Sequence, residues 1–194
     1  MPSPSNAVKT LRRFYKNKSR SPAEIAKDLA GELVGTSDRG AVIILAAFIH
    51  DALSGFLAEG LIPLSDDERE YAFRSDGPLG SFSSRIDMAY LFGGLSKDTR
   101  DRLHDLRELR NACAHTTIPI SFKNAELRNV ARRITRHPIN DDVDESDTRQ
   151  SLIQAVMAYY MELSLGHEGA LKLLKDVRDG KFSPAPSPRR RSRQ

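Results

Sequence analysis

The residues best equipped for chemistry lie together in ELRNACAHTT, Glu108 to Thr117. Arg110 carries a guanidinium, Asn111 a carboxamide that donates and accepts, and His115 an imidazole, the side-chain type that most often carries protons in catalysis. A fixed cation, an orienting amide and a proton carrier can together hold an anionic group and move a proton beside it. Small Ala112 and Ala114 lie between them, which lets another backbone or a ligand come close. That chemistry requires Arg110 and His115 to open onto one cleft, whereas a scaffold lets Arg110 close into a salt bridge.

The segment ends an amphipathic helix that starts at the Ser96 cap, with Asp98 in the first turn where the helix dipole favours an acid. At about 100° per residue, Leu103, Leu106, Leu109 and Cys113 form a core stripe, and His104, Glu108, Asn111 and His115 form a polar one. Arg110 falls inside the apolar stripe. A charge there requires a carboxylate partner or a wet cleft, and Asp38 and Asp87 are the candidates. The same geometry sets Arg110 and His115 about 140° apart. Only a distorted last turn or a second subunit's copy would bring them together. Cys113 and His115 point about 200° apart, which argues against a thiol–imidazole pair. The plainer reading is a structural Arg–carboxylate pair, with Asn111 and His115 at a helix end whose free carbonyls can meet an imidazole.

Other constellations carry less. His50, Asp51 and His104 offer no pair at i, i+4 spacing, so no metal is expected. No cofactor is expected either. The SDGPLGS segment, Ser75 to Ser81, precedes a capped helix but lacks the lysine and spacing of a phosphate loop. It reads as a structural loop whose glycines pass close to a neighbouring helix. DDVDESD, Asp141 to Asp147, lacks the glycine and terminal glutamate of a calcium loop and reads as solvated.

The elements that must position these residues read as helices throughout. Ser21, Pro22 and Glu24 start the first, which runs to Val34 with Ile25, Leu29 and Leu33 on one stripe. Ser37 caps a second, from Asp38 to Leu61, whose Ala41–Ile49 stretch is apolar on every side and marks a central buried helix. Further helices are expected over Asp66–Arg74, from Ser81 to Phe92 with Gly93 and Gly94 ending it, over Asn124–Arg136, and over Asp147–Asp179 with breaks at Gly166 or Gly169. No alternating strand of useful length is present. The expected fold is all-α: a single bundle of about six to seven helices around a central buried one.

Charge divides the chain of 194 residues into three. Residues 1–20 carry six basic residues and no acid, and residues 181–194 carry five and no acid, so a net charge of +4 leaves 4 − 11 = −7 for residues 21–180. The expected domains are a basic extension over 1–20, a helical bundle over 21–180 and a disordered Pro/Arg-rich tail over 181–194. An acidic body repels phosphate, so any nucleic-acid contact is expected in the tails, through Arg12, Arg13, Arg189, Arg190 and Arg191. One cysteine excludes an internal disulfide. No unbroken apolar run reaches 18 residues and no secretory pattern is present, so a cytoplasmic location and no membrane contact are expected.

Three blocks carry a resemblance. SDRGAVIILAAFIHDAL (Ser37–Leu53), GPLGSFSSRIDMAYLFGGLS (Gly77–Ser96) and LRELRNACAH (Leu106–His115) are similar to the signature blocks of the mannitol operon repressor family. The resemblance spans roughly residues 37–125 and is most specific in GPLGSFSSRID. It singles out Asp38, Arg39, Gly77, Pro78, Gly80, Ser81, Arg85 and Asp87 as signature positions. The Arg-Asn…His ending resembles the wider group of HEPN domains. That likeness implies a metal-independent ribonuclease site formed across a dimer, in which Arg110 would stabilise phosphate charge, His115 would act as general acid or base, and Asn111 would orient one of them. The repressor resemblance implies a regulator in transcriptional control. No helix-turn-helix is visible, so such a regulator would act through a protein partner, as a homodimer. The endoribonuclease, whether free-standing or part of a toxin–antitoxin pair, is the alternative.

Overall fold

The computed structural model describes residues 22–60, 64–136 and 147–166. Both basic tails, the DDVDES segment and the chain beyond Gly166 lie outside these residues. Seven helices and no strand are present among the described residues, so the fold is all-α. The chain divides into two compact units, one ending at Gly35 and the other beginning at Thr36.

In the first unit, α1 spans Pro22–Leu33. Leu29 and Leu33 are buried and Ile25 is half-buried, as the stripe requires. Gly35, at φ +72°, takes the left-handed turn after the helix.

The second unit is built from α2 (Asp38–Gly60), α3 (Asp66–Phe73), α4 (Phe82–Leu91), α5 (Lys97–His115), α6 (Ala125–Thr135) and α7 (Thr148–Leu165). Helix α2 packs against α4, α5 and α7; α5 also meets α4 and α6, and α6 meets α7. Val42, Leu45, Ile49, Leu53 and Leu57 of α2 are fully buried. Helix α2 is the central buried helix expected from its apolar run, with one ridge left open. Ile43 is 37 % exposed, and Ala47, Asp51 and Gly55 continue that open stripe at i+4 steps. Three neighbours cover most of a helix but leave one ridge free. By length and composition α2 could also cross a membrane; here its apolar residues form the bundle's core.

Capping fixes the helix starts. Ser37 Oγ accepts from Gly40 N at 3.1 Å, Ser81 Oγ from Ser84 N at 2.9 Å and Ser96 Oγ from Thr99 N at 3.1 Å. Ser65 and Glu68 add a reciprocal capping box at α3. Asn124 caps α6 through Glu126 N and Leu127 N.

The glycines of the loop pass close to the backbone of the preceding helix end. A Cβ on Gly77 would lie 2.0 Å from the Tyr71 carbonyl oxygen, and one on Gly80 would lie 2.3 Å from that of Arg74. The loop therefore folds directly onto the last turn of α3. Gly80→Ala is expected to lower stability by about 2 kcal/mol through this overlap with backbone, read as a fall in the urea midpoint with an unchanged m-value.

Candidate functional site at the two ends of α5

Helix α5 presents the Arg-Asn-His segment, and residues remote in sequence hold both its ends. At the N-terminus, Glu162 of α7 is wholly buried. One carboxylate oxygen accepts from Ser96 N at 2.6 Å and the other from Thr99 Oγ1 at 2.5 Å. A carboxylate at this position satisfies helix-start donors and complements the helix dipole.

At the C-terminus, the first two residues of α2 brace the chain leaving α5. Arg39 donates to the Thr116 carbonyl at 2.9 Å and the Ile118 carbonyl at 2.6 Å. Asp38 accepts from Ser121 Oγ and Phe122 N, both at 2.9 Å. Arg149 of α7 lies 3.7 Å from Asp38 and donates to the Thr36 carbonyl at 2.6 Å. The Asp-Arg pair thus fastens the chain from Thr116 to Phe122 to the start of α2.

The expected burial of Arg110 is wrong. Arg110 is exposed and donates to Asn111 Oδ1 at 3.1 Å. Neither proposed carboxylate is its partner, because Asp38 braces the α5 exit and Asp87 bonds Arg100 at 2.9 Å and His104 at 3.1 Å. The helical projection places Arg110 beside Leu103 in angle but ignores position along the axis, where the two stand about 10 Å apart. At the level of Arg110 the buried residues are Leu109 and Cys113, and Arg110 lies about 80° from their mean direction, on the flank of the stripe. Arg110→Met is therefore expected to change stability by no more than about 0.5 kcal/mol, with melting temperature as the check.

His115 is also exposed, and it lines a cleft of about 510 Å³ with Ala112, Ile118, Ile120, Asn124 and Leu127. Arg110 is not in that lining. The last turn stays helical through His115, with Thr116 N bonding the Ala112 carbonyl. One chain therefore has no distortion that would turn Arg110 and His115 toward each other. Cys113 is buried on the core side. Burial pushes its thiol up, against a smaller opposing pull from Arg39, which leaves it a poor nucleophile.

The signature residues gather in a second place, at the glycine loop. Arg85 of α4 is 6 % exposed. Its Nε donates to the Leu79 carbonyl at 2.6 Å, one terminal nitrogen to Ser54 Oγ at 2.6 Å and the other to the Phe73 carbonyl at 3.0 Å. The guanidinium also stacks over the Phe73 ring at 5.3 Å. Burial pulls its pKa down, while the Asp51 carboxylate opposes that shift. One side chain ties the end of α3, the Gly77–Gly80 loop and α2 together. Ser81 caps the helix carrying Arg85, and Pro78 is exposed within the loop. On Asp87, burial raises the pKa, but hydrogen bonds from Arg100 and His104 outweigh it and hold the carboxyl below its usual range.

His50 lies 3.4 Å from an Arg85 terminal nitrogen and meets the Phe82 ring edge-on. Burial, then the charges of Arg85 and Arg110, lower its pKa to about 4. The unfolded chain, with an ordinary histidine near 6.5, binds a proton between pH 6.5 and 4 that the folded chain refuses. Stability should thus be full above pH 6.5 and fall as the pH drops toward 4. Allowing for partial solvent screening, the loss is on the order of 1 kcal/mol. Urea titrations of wild type and His50→Gln across that window check it; parallel pH curves would count against it.

Glu162, Arg149 and Ser54 contribute to these sites without having been singled out from sequence, and His104, weighed there only as a metal ligand, contributes by bonding Asp87. For Glu162 a signal existed: it is an acid on the stripe that carries Tyr159 and Leu163. Among the described residues no cluster suited to a metal ion is present. Arg12, Arg13, Arg189, Arg190 and Arg191 lie outside the described residues.

No family model and no curated protein matches the chain. Among solved structures it is similar to a chain in the X-ray structure of the MtlR–HPr complex from Escherichia coli. The TM-score is 0.57 at 15 % identity, covering 74 % of this chain and 98 % of that one. The likeness is one of fold.

Proposed function

We propose that this protein is a regulator of the mannitol operon repressor type, acting in transcriptional control through a protein partner. The carrying observation is the fold shared with a chain crystallised in the MtlR–HPr complex. The local geometry agrees with that reading. The GPLGSFSSRID block forms a rigid corner around Arg85, and the SDRG block forms the brace on the α5 exit. Both are devices for holding a surface in shape rather than for bond cleavage.

The endoribonuclease reading requires Arg110 and His115 to act on one phosphate. Within a chain they face different surroundings, so a second subunit would have to complete the site. Incubating the purified protein with structured and unstructured RNA in chelator tests this, with His115→Ala as control. No His115-dependent cleavage is expected. Calorimetric titration with HPr from the same cell tests the partner reading. Saturable binding is expected, and no binding in the micromolar range would remove HPr as the partner.

A further inference from the structure

We infer that the α5–α6 cleft and the arginine row of α6 form one docking surface for an acidic, amphipathic segment of a partner protein. This rests on the reading that the chain works through a protein partner, but not on that partner being HPr.

Charge is segregated within the acidic body. Residues 127–136 carry four arginines and no acid, whereas the other described residues of the second unit, 36–60, 64–126 and 147–166, sum to −5. Asn124, Arg128, Arg132 and Arg136 follow each other at i+4 steps, about 6 Å apart along the axis, and make one ridge of α6. Arg132 is already engaged within the chain, which leaves Arg128 and Arg136 to carry the argument. Arg136 is exposed. Arg128 is half-buried on the same ridge, where the exposed part of its guanidinium can meet a carboxylate of the occupant.

The ridge starts in the cleft, because Asn124 lines it together with Ile118, Ile120 and Leu127. Ile118 stands 70 % exposed at the rim, and Lys123 is exposed next to Asn124. An occupant that uses both features has an apolar side chain at one end and acids spaced by a helical turn beyond it. A nucleic-acid duplex satisfies only the charge.

The test uses the full chain and a synthetic helical peptide with two leucines in its first turn and three glutamates at i+4 spacing beyond them. Its controls are the Gln-for-Glu peptide, a scrambled peptide of the same composition, and a DNA duplex of similar length. Binding is followed by amide shifts and by calorimetry. The glutamate peptide is expected to bind saturably, shifting Ile118, Leu127 and Arg128. Arg128→Gln with Arg136→Gln should weaken it at least tenfold, and Ile118→Asp should abolish it while circular dichroism stays unchanged. Absence of saturable binding, equal binding of the scrambled peptide, or tighter binding of the duplex to α6 would each overturn the proposal. HPr binding that survives Arg128→Gln, Arg136→Gln and Ile118→Asp would leave the regulator reading intact while giving this surface no part in it.

Discussion

Arg85→Met is expected to lower the stability of the bundle by about 3–5 kcal/mol. The substitution keeps length and apolar volume but removes every donor. The Leu79 and Phe73 carbonyls and Ser54 Oγ then lose their partner in a poorly hydrated corner. Each hydrogen bond to a charged group is worth about 1.5–3 kcal/mol, and solvent entering the opened corner should return part of the total. For a unit of this size the change amounts to a melting temperature lower by roughly 10 °C or more. Arg85→Lys should recover only part of it, since an ammonium on a flexible stem cannot reach three acceptors set for a planar fork. Melting by calorimetry checks both variants. A fall of under 1 kcal/mol for methionine would show that Arg85 does not organise the loop.

Glu162→Leu is expected to cost about 2–4 kcal/mol. The leucine fits the apolar stripe of α7, but Ser96 N–H and the Thr99 hydroxyl lose their acceptor inside the bundle. Glu162→Gln keeps one carbonyl oxygen and should lose distinctly less. Loss on leucine substitution should appear as faster hydrogen exchange in the first turn of α5 before any change in α6. Uniform acceleration throughout the bundle would instead indicate general loosening.

The helices were legible because their ends carry local chemistry: serines at 37, 81 and 96, asparagine at 124, and glycines at 93 and 166. The all-α class follows from them. The candidate site was legible only as a set of residues. Arg110, Asn111 and His115 do end α5, but their relation to the core depends on how narrow the buried stripe becomes there, where it is reduced to Leu109 and Cys113. A projection that merges all turns widens the stripe to include Leu103, and so Arg110 was placed inside. Asp38, Arg39 and Arg85 were singled out by resemblance, while their partners stand 6 to 84 residues away. Spacing along the chain cannot identify such partners. Glu162 shows the same limit: the sequence reveals an acid on an apolar face but not the donors 63 and 66 positions earlier.

The pinning of α5 from both sides has a consequence for the order of events during synthesis. Its helix can form early, since its contacts are local. Its exit is fixed to α2 by bonds spanning 77 to 84 residues, which join parts that have both been made once Phe122 is out. Its start waits for Glu162, 66 residues after Ser96. Until then the emerging chain holds a braced α2–α5 pair whose first-turn donors face water, with the apolar faces meant for α7 uncovered. Closing that last long loop is the step whose entropy must be overcome before the contacts repay it. A nascent chain stalled short of residue 162 is therefore the form most exposed to chaperones and proteases.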